Sequence, residues 1–118
     1  MIFENIDRIF AGIDAMRVDE FLGFLTDEVH LRFGNAPPAT GKAAVREALT
    51  AFFSSIQGLR HIVTGKWKEG DTVICRCDVE YTRMDGKVVT VPAVSILECQ
   101  GQLISDYRIY IDISPVYA

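Results

Sequence analysis

The feature that most constrains this chain is a segment near its end, residues 106–112, in which polar and apolar residues alternate without a break. Side chains of a strand point to opposite faces in turn, so one face of this strand is polar and the other apolar. The polar face carries Asp106, Arg108, Tyr110 and Asp112, and the apolar face carries Tyr107, Ile109 and Ile111. We predict that the polar row lines a pocket and that the apolar row packs on helices or on a second subunit.

Length and composition indicate a single globular domain over residues 1–118. The formal net charge of -4 disfavours a nucleic-acid partner, because such surfaces are normally basic. No segment approaches the roughly 20 apolar residues that span a bilayer, and the N-terminus lacks a signal-peptide pattern, so we expect no membrane partner. The cysteines, Cys75, Cys77 and Cys99, are odd in number, which favours a reducing compartment and a cytoplasmic protein.

The spacing of apolar residues predicts helices first and strands afterwards. Spacings of three and four predict amphipathic helices over residues 2–17 and through Val45–Ile56, with a short helix beginning near Asp19 between them. A strand is predicted over Val29–Phe33, and turn signals after Leu59 divide the rest into a four-stranded antiparallel meander. This order predicts an α+β fold in which a curved, mostly antiparallel sheet wraps over the helices and leaves a hollow between them.

The first strand of the meander is predicted to present His61 and Trp67 to this hollow. A lone histidine beside an aromatic residue is more often a satisfied core residue than a catalytic base, so we assign His61 to the pocket lining. Tyr81, on the next strand, is a further candidate for contacting a bound ligand. Phe33 and Asn35 flank the end of the strand before the meander and are candidate residues at the mouth of the pocket. Core packing would also explain Phe33, and a turn before two prolines would also explain Asn35.

Arg76 and Asp78 share one face of the second meander strand, and two interpretations of that face stay open. Strand periodicity favours a face in contact with water. In the alternative, both residues look into the hollow and meet Asp112 there. The guanidinium would then keep one carboxylate ionised, while the like charge would raise the pKa of the other, which separates an acid from a base.

No metal site is predicted, because two histidines without ligand spacing and a Cys-x-Cys pair on one strand do not make a ligand set. The sequence also contains neither a Ser-His-Asp pattern nor a phosphate-binding glycine loop. We therefore expect no cofactor, and any chemistry is expected to be acid-base.

The chain resembles the SnoaL-like group of the nuclear transport factor 2-like (NTF2-like) superfamily over essentially its whole length. The resemblance rests on the order of helices and strands, and on the segments Gly41–Arg46, Arg83–Gly86 and Asp106–Pro115. It implies a cone-shaped barrel of N-terminal helices packed in a curved sheet, with a deep pocket. Ketosteroid isomerase, polyketide cyclases, scytalone dehydratase and non-catalytic binding domains use the same fold, so the fold alone does not define a reaction.

Within that superfamily the site positions are most similar to those of limonene-1,2-epoxide hydrolase. Its final arginine, tyrosine and aspartate are matched by Arg108, Tyr110 and Asp112. An Arg-x-Asp pair on an earlier strand is matched by Arg76 and Asp78, and Phe33-Gly34-Asn35 stands where that enzyme has Tyr-x-Asn. The resemblance implies Asp112 as the base on a water, Asp78 as the acid and Arg76 holding both.

These patterns predict a small-molecule pocket protein, an acid-base enzyme of epoxide hydrolase, cyclase or isomerase type acting on an apolar, cyclic substrate. One alternative is a pocket that only binds a ligand, with Arg108 in a structural ion pair. Another is an interaction module that works through its sheet. Tyr107, Ile109 and Ile111 on an outer face would predict an isologous homodimer, in which one patch meets itself across a two-fold axis.

Overall fold

The computed structural model describes all 118 residues, from Met1 to Ala118. Four helices and six strands make up the chain, and none of the helices is long and apolar enough to cross a membrane. In chain order, the elements are α1 (Ile6–Asp14), α2 (Val18–Leu22), β1 (Leu25–Phe33), β2 (Ala39–Thr40), α3 (Lys42–Phe53), β3 (Gly58–Glu69), β4 (Thr72–Thr82), β5 (Val88–Gln100), β6 (Leu103–Ile111) and α4 (Ser114–Tyr117).

The six strands form one sheet in the order β2-β1-β6-β5-β4-β3. Strands β3 to β6 are the predicted antiparallel meander, while β1 lies parallel to β6 and carries the short β2 at the edge. The predicted α+β class is confirmed. The sheet is open, because its edge strands β2 and β3 do not pair with each other, so it is not closed into the barrel that the resemblance implied.

Helix α1 forms because its apolar residues recur every three or four positions and present one stripe to the rest of the fold. Ile6, Ile9, Phe10 and Ile13 lie on this stripe and are buried. The helix is shorter than the predicted range, because residues 2–5 are in turns and Met16 adopts a left-handed φ of 57° just after the helix ends.

The core lies between the helices and one face of the sheet, which we call the inner face. On β4 this face is buried at every second residue: Val73, Cys75, Cys77, Val79 and Tyr81. The register continues it across the sheet, because Cys77 lies opposite Ala93, and Ala93 lies opposite Ile111. The intervening residues of each strand form the opposite, outer face.

Candidate functional site

An apolar cavity of about 310 Å³ lies between the inner face of the sheet and helices α1, α2 and α3. Its lining includes no Lys, Arg, Asp or Glu side chain. Nitrogen or oxygen atoms of side chains come only from His61, Tyr81, Ser95, Tyr107 and Tyr117. A cavity of this kind favours an uncharged, largely apolar ligand that is oriented by a few polar groups.

The burial of the lining residues distinguishes a mouth from a floor. Ala36 and Pro37 from the β1–β2 loop, Ala48 from α3 and Tyr117 from α4 are exposed and surround the mouth. Tyr117 is fixed there by a contact of 2.7 Å between its hydroxyl and Ser55 Oγ. The floor is formed by buried residues of α2 and the central strands: Phe21, Leu31, Cys77, Val79, Ala93, Ser95 and Tyr107.

The most organised polar group in the cavity wall is a pair formed by Asp14, at the end of α1, and His61, on β3. His61 Nδ1 lies 2.6 Å from Asp14 Oδ1, and the backbone N–H of His61 donates to Asp14 Oδ2 at 2.9 Å. Both carboxylate oxygens are therefore used to hold one residue. The imidazole is also stacked on Phe10, with ring centroids 4.5 Å apart and planes 5° from parallel.

This geometry defines the role of each imidazole nitrogen. A carboxylate can only accept, so the Nδ1 that faces Asp14 carries a hydrogen and donates it. In the neutral ring, Nε2 then holds the free lone pair. Nε2 makes no hydrogen bond within the chain and is not a fully buried atom, and His61 is one of the cavity residues. The pair therefore orients an imidazole whose Nε2 is free of partners within the chain, on a residue that lines the cavity.

Tyr81 adds a phenol to the same cavity. Its side chain packs edge-on against Phe52, it is 2% exposed, and its hydroxyl makes no hydrogen bond within the chain. Burial raises the pKa of Tyr81, and the negative charge of Asp14 acts in the same direction. The phenol therefore stays protonated and can donate a hydrogen bond to a ligand oxygen.

Two more hydroxyl groups lie on the floor of the cavity. They belong to Ser95 on β5 and Tyr107 on β6, which share the inner face. Burial raises the pKa of Tyr107 strongly, and the nearby Ser95 hydroxyl lowers it by less. The Tyr107 phenol therefore stays protonated.

Cys77 lies on the floor as well, but its chemistry is that of an inert thiol. Burial, and next the negative charge of Asp14, raise the pKa of Cys77 to about 11. The thiolate is the nucleophilic form of cysteine, so near neutral pH this residue contributes packing and not nucleophilic chemistry.

Three of the sequence-predicted site residues, Phe33, His61 and Tyr81, line the cavity. Asn35 does not; it is exposed and borders a separate groove on the outer face, between Arg32, Gly34, Arg108 and Tyr110. The prediction that Arg108 and Tyr110 line the main pocket is wrong. Arg108 instead donates from Nε to Asp106 at 2.9 Å, and Tyr110 is 56% exposed.

The predicted group of Asp112, Asp78 and Arg76 is not assembled, so this catalytic assignment is wrong. Arg76 and Asp78 are exposed on the outer face, where the Arg76 guanidinium bonds to the Thr64 side chain and carbonyl. Asp112 is exposed beyond the end of β6, and hydrogen bonding from Ser114, first from its side chain and then from its backbone N–H, lowers the pKa of Asp112. The interpretation of Arg76 and Asp78 that periodicity favoured, contact with water, is the one observed.

The error arose in the orientation of β6. Tyr107, Ile109 and Ile111 line the cavity, so they do not form an outer dimer surface as predicted. One aromatic and two isoleucine side chains gain more from burial than the alternating charged residues would, because apolar area drives burial. The polar row of β6 is therefore the outer row.

Trp67 also points outward, because a β-bulge interrupts β3. Val63 lies opposite Cys77 but Gly65 lies opposite Arg76, so Thr64 is an extra residue in β3. Each later side chain of β3 therefore points to the face opposite the one that strict alternation predicts. Trp67 is 49% exposed, and its ring is covered by the Arg76 guanidinium at 5.3 Å. The indole folds over Gly65, where a Cβ atom would lie only 2.5 Å from it.

Sequence reasoning missed Asp14, Ser95 and Tyr117 as site residues. A signal was present for Asp14, because it follows Phe10 by four positions and so lies beside the apolar stripe of α1. Ser95 is likewise a polar residue at an inner position of an otherwise apolar alternation. Ser95 could be identified as a site residue only once the face of β5 that points toward the core was known.

Comparison with solved structures supports the fold. TerC, co-crystallised with polyporic acid, is 18% identical and aligns with a TM-score of 0.85 over 97% of this chain and 93% of TerC. A protein from Jannaschia sp. CCS1, described as a SnoaL-like polyketide cyclase, is 18% identical with a TM-score of 0.83, over 97% of this chain and 87% of its own. A Catenulispora acidiphila protein with a ketosteroid isomerase-like fold, in complex with trimethylamine, is 14% identical with a TM-score of 0.86, over 94% and 87%.

At such identities these likenesses show the NTF2-like fold alone. No match was found among curated proteins. The profile of the SnoaL-like domain, however, matches residues 6–107, which run from the start of α1 into β6 and include Asp14, His61, Tyr81, Ser95 and Tyr107. The chain therefore belongs to the SnoaL-like domain family.

Proposed function

We propose that this protein is an acid-base enzyme that acts on an uncharged, apolar, cyclic small molecule, with His61 as the base and Asp14 as its orienting carboxylate. The observation that carries the proposal is the 2.6 Å contact through which Asp14, from outside the lining, holds His61 in a cavity whose lining has no Lys, Arg, Asp or Glu side chain. A base in an apolar site needs such a partner, because the imidazolium formed during proton transfer is otherwise poorly solvated.

The proposed step is removal of a proton from a carbon next to a substrate carbonyl. The proton moves to His61 Nε2, the C–H electron pair forms the enolate double bond, and the carbonyl oxygen takes the negative charge. Asp14 stabilises the imidazolium, and the Tyr81 hydroxyl donates to the oxygen. Attack of the enolate carbon on a second carbonyl, or return of the proton to another carbon, gives cyclisation or isomerisation.

The family assignment supports this class of reaction, and one structural neighbour is described as a SnoaL-like polyketide cyclase. Epoxide opening of the hydrolase type has lost its support, since the residues expected for it face outward. The carbanion chemistry needs only one base and one oxygen donor, and the cavity provides both.

A probe reaction tests the base without knowledge of the substrate. 5-Nitrobenzisoxazole is a flat, apolar bicycle that opens to a coloured phenolate when a base removes its ring C–H proton. We expect turnover by the wild-type protein, and a fall of about 10²–10⁴-fold in kcat/KM for His61→Gln. His30→Gln is the matched control, because His30 also contacts a carboxylate, Asp106, but on the outer face. Equal rates for the wild type and His61→Gln would contradict the proposal.

The alternative function is binding without catalysis, which the apolar lining of the cavity favours by itself. Polyporic acid, the compound co-crystallised with TerC, is the first ligand to test by calorimetry. Binding of polyporic acid with no His61-dependent turnover of 5-nitrobenzisoxazole would favour this alternative.

We also propose that the protein forms a homodimer through the outer face of its meander. Ile74 and Ile96 lie opposite each other there, on β4 and β5, Ile62 lies on the edge strand β3, and all three are half-buried. Arg76 and Asp78 lie two residues apart on β4, and neither makes an ion pair within the chain. Across a two-fold axis, the arginine of each protomer would meet the aspartate of the other.

Charge exchange tests this interface. Arg76→Asp alone places like charges opposite each other and should dissociate the dimer in sedimentation experiments at micromolar concentration. The double variant Arg76→Asp with Asp78→Arg restores complementarity and should restore the dimer. A wild-type monomer, or a double variant no better than the single one, would contradict the proposed interface.

A further inference from the structure

The floor of the cavity contains a polar pair that the proposed proton transfer does not use. Ser95 is the only buried polar or charged residue of the chain, at 5% exposure, and its neighbours on the inner row of β5 are apolar: Val89, Val91, Ala93 and Leu97. Tyr107 is 2% exposed on the neighbouring strand β6. The register sets Ser95 opposite Ile109 and Tyr107 opposite Leu97, so the two are diagonal neighbours on one face.

The hydroxyls of Ser95 and Tyr107 cannot satisfy both of their hydrogen-bond donors with each other. Each hydroxyl has one donor hydrogen and two acceptor lone pairs, so even a bond between Ser95 and Tyr107 would use only one of their two hydrogens. Neither hydroxyl bonds to a backbone group, and both residues line the cavity. Since a buried donor without a partner costs free energy, the remaining O–H is available to an oxygen atom inside the cavity.

The pair is remote from the base. His61 is on β3 and Tyr107 is on β6, with β4 and β5 between them. At about 4.8 Å per strand, the two backbones are roughly 14 Å apart across the sheet. The strands that carry His61 and Tyr107 are therefore separated by two others, while both residues line the same cavity.

We infer that Ser95 and Tyr107 form a second polar subsite, and that the natural ligand is an uncharged, rigid, apolar frame with an oxygen substituent at each end. One oxygen-bearing end lies at His61, and the other accepts a hydrogen bond from the floor pair. This inference uses the same cavity as the proposed function and names the substrate class, but it does not require that His61 be a catalyst.

A series of three biphenyls tests the subsite. Biphenyl, para-phenylphenol and para,para′-biphenol carry zero, one and two hydroxyls on the same frame. By calorimetry, the wild-type protein should bind the biphenol about tenfold more tightly than the monophenol. Tyr107→Phe and Ser95→Ala should each reduce that ratio to about twofold, the value that two equivalent ends give statistically.

Tyr110→Phe is the matched control, because it removes the same phenol oxygen from the outer face of the same strand. It should keep the tenfold ratio. Should Tyr107→Phe fail to fold by circular dichroism, Ser95→Ala still provides the test. Equal binding of both phenols by the wild type, no binding of either, or a ratio unchanged in the floor variants would overturn the inference.

The outcomes separate this inference from the proposed function. A biphenol ratio that depends on Tyr107, together with 5-nitrobenzisoxazole turnover that does not depend on His61, would support the floor subsite and reject the enzyme. The reverse result would support the base and reject the subsite.

Discussion

Two histidine–aspartate pairs in this molecule have the same chemistry and different surroundings. His61 and Asp14 meet at 2.6 Å beside the cavity, and His30 and Asp106 meet at 2.9 Å on the outer face. The carboxylates are almost equally exposed, at 23% and 22%, but the histidine side chains are 13% and 36% exposed. The burial of the imidazole, and not of the acid, distinguishes the two pairs.

The second difference is how many partners each carboxylate serves. Asp106 also accepts a bond of 2.9 Å from the Arg108 guanidinium, so an arginine already neutralises its charge. Asp14 binds only the ring and the backbone N–H of His61. The Asp14 carboxylate thus serves one residue, His61, whereas the Asp106 carboxylate is shared, and the proposed proton transfer is assigned to the inner pair, His61 and Asp14, on this ground.

The largest effect is expected from Phe10, the aromatic residue that covers the inner pair of His61 and Asp14. Phe10→Ala removes the buried ring that stacks on His61 and should reduce the free energy of unfolding by about 3–5 kcal/mol. Trp67→Ala removes a half-exposed ring from the outer face and should cost about 1 kcal/mol or less. Urea unfolding of both variants measures the contrast, and similar losses would show that the two faces do not differ as described.

The next effect concerns the carboxylates themselves. Asp14→Asn keeps the shape but can turn an amide donor toward the ring, so the wrong imidazole nitrogen carries the hydrogen. Turnover of 5-nitrobenzisoxazole should fall by about 10²-fold or more. Asp106→Asn should change the same rate by less than about twofold. A comparable loss in both variants would mean that the inner pair is not the base.

Alkaline pH should destabilise the fold through the buried phenols. Burial raises the pKa of Tyr81 and of Tyr107 above the ordinary value of about 10, so folded phenols keep their protons where unfolded ones lose them. The stabilisation is complete below pH about 10, and above it the free energy of unfolding falls by up to about 1.4 kcal/mol per pH unit for each phenol.

Tyr107→Phe removes one of these two contributions, so its stability should decline less steeply than that of the wild type. Urea denaturation between pH 9 and about 11 measures the slopes. Parallel slopes for the two proteins would contradict the burial of the Tyr107 hydroxyl in its neutral form.

The smallest effect is expected at the outer pair. His30→Gln should change the free energy of unfolding by less than about 1 kcal/mol, because Arg108 still bonds to Asp106 when His30 is replaced, and molar salt should reduce any charge contribution further. A larger, salt-insensitive loss would indicate that the outer pair is a structural element in its own right.

Local patterns predicted the elements of this fold, because turns and amphipathic stripes are encoded over a few residues. The meander follows from Asp85-Gly86 and the other turn signals, and α3 from its apolar stripe. The face of the sheet on which each side chain lies was harder to predict. The extra residue Thr64 reverses the direction of Trp67, and its one local signal is the neighbouring Gly65, because an isolated glycine inside a strand often marks a bulge.

The candidate site depends on contacts between distant segments, and these are not readable from alternation alone. Asp14 and His61 are 47 positions apart. The parallel pairing of β1 with β6 decides that Tyr107 lies inside and Arg108 outside, and periodicity describes both choices equally well.

That same β1–β6 pairing also has a kinetic consequence. His30 and Asp106 are 76 positions apart, so the two strands join only after a long stretch of chain has been brought together, whereas each hairpin of the meander closes over a few residues. The meander can therefore form before β1 docks, and the cavity has no wall at Leu31 and Phe33 until it does. Ligand-binding capacity should be the last property acquired during refolding.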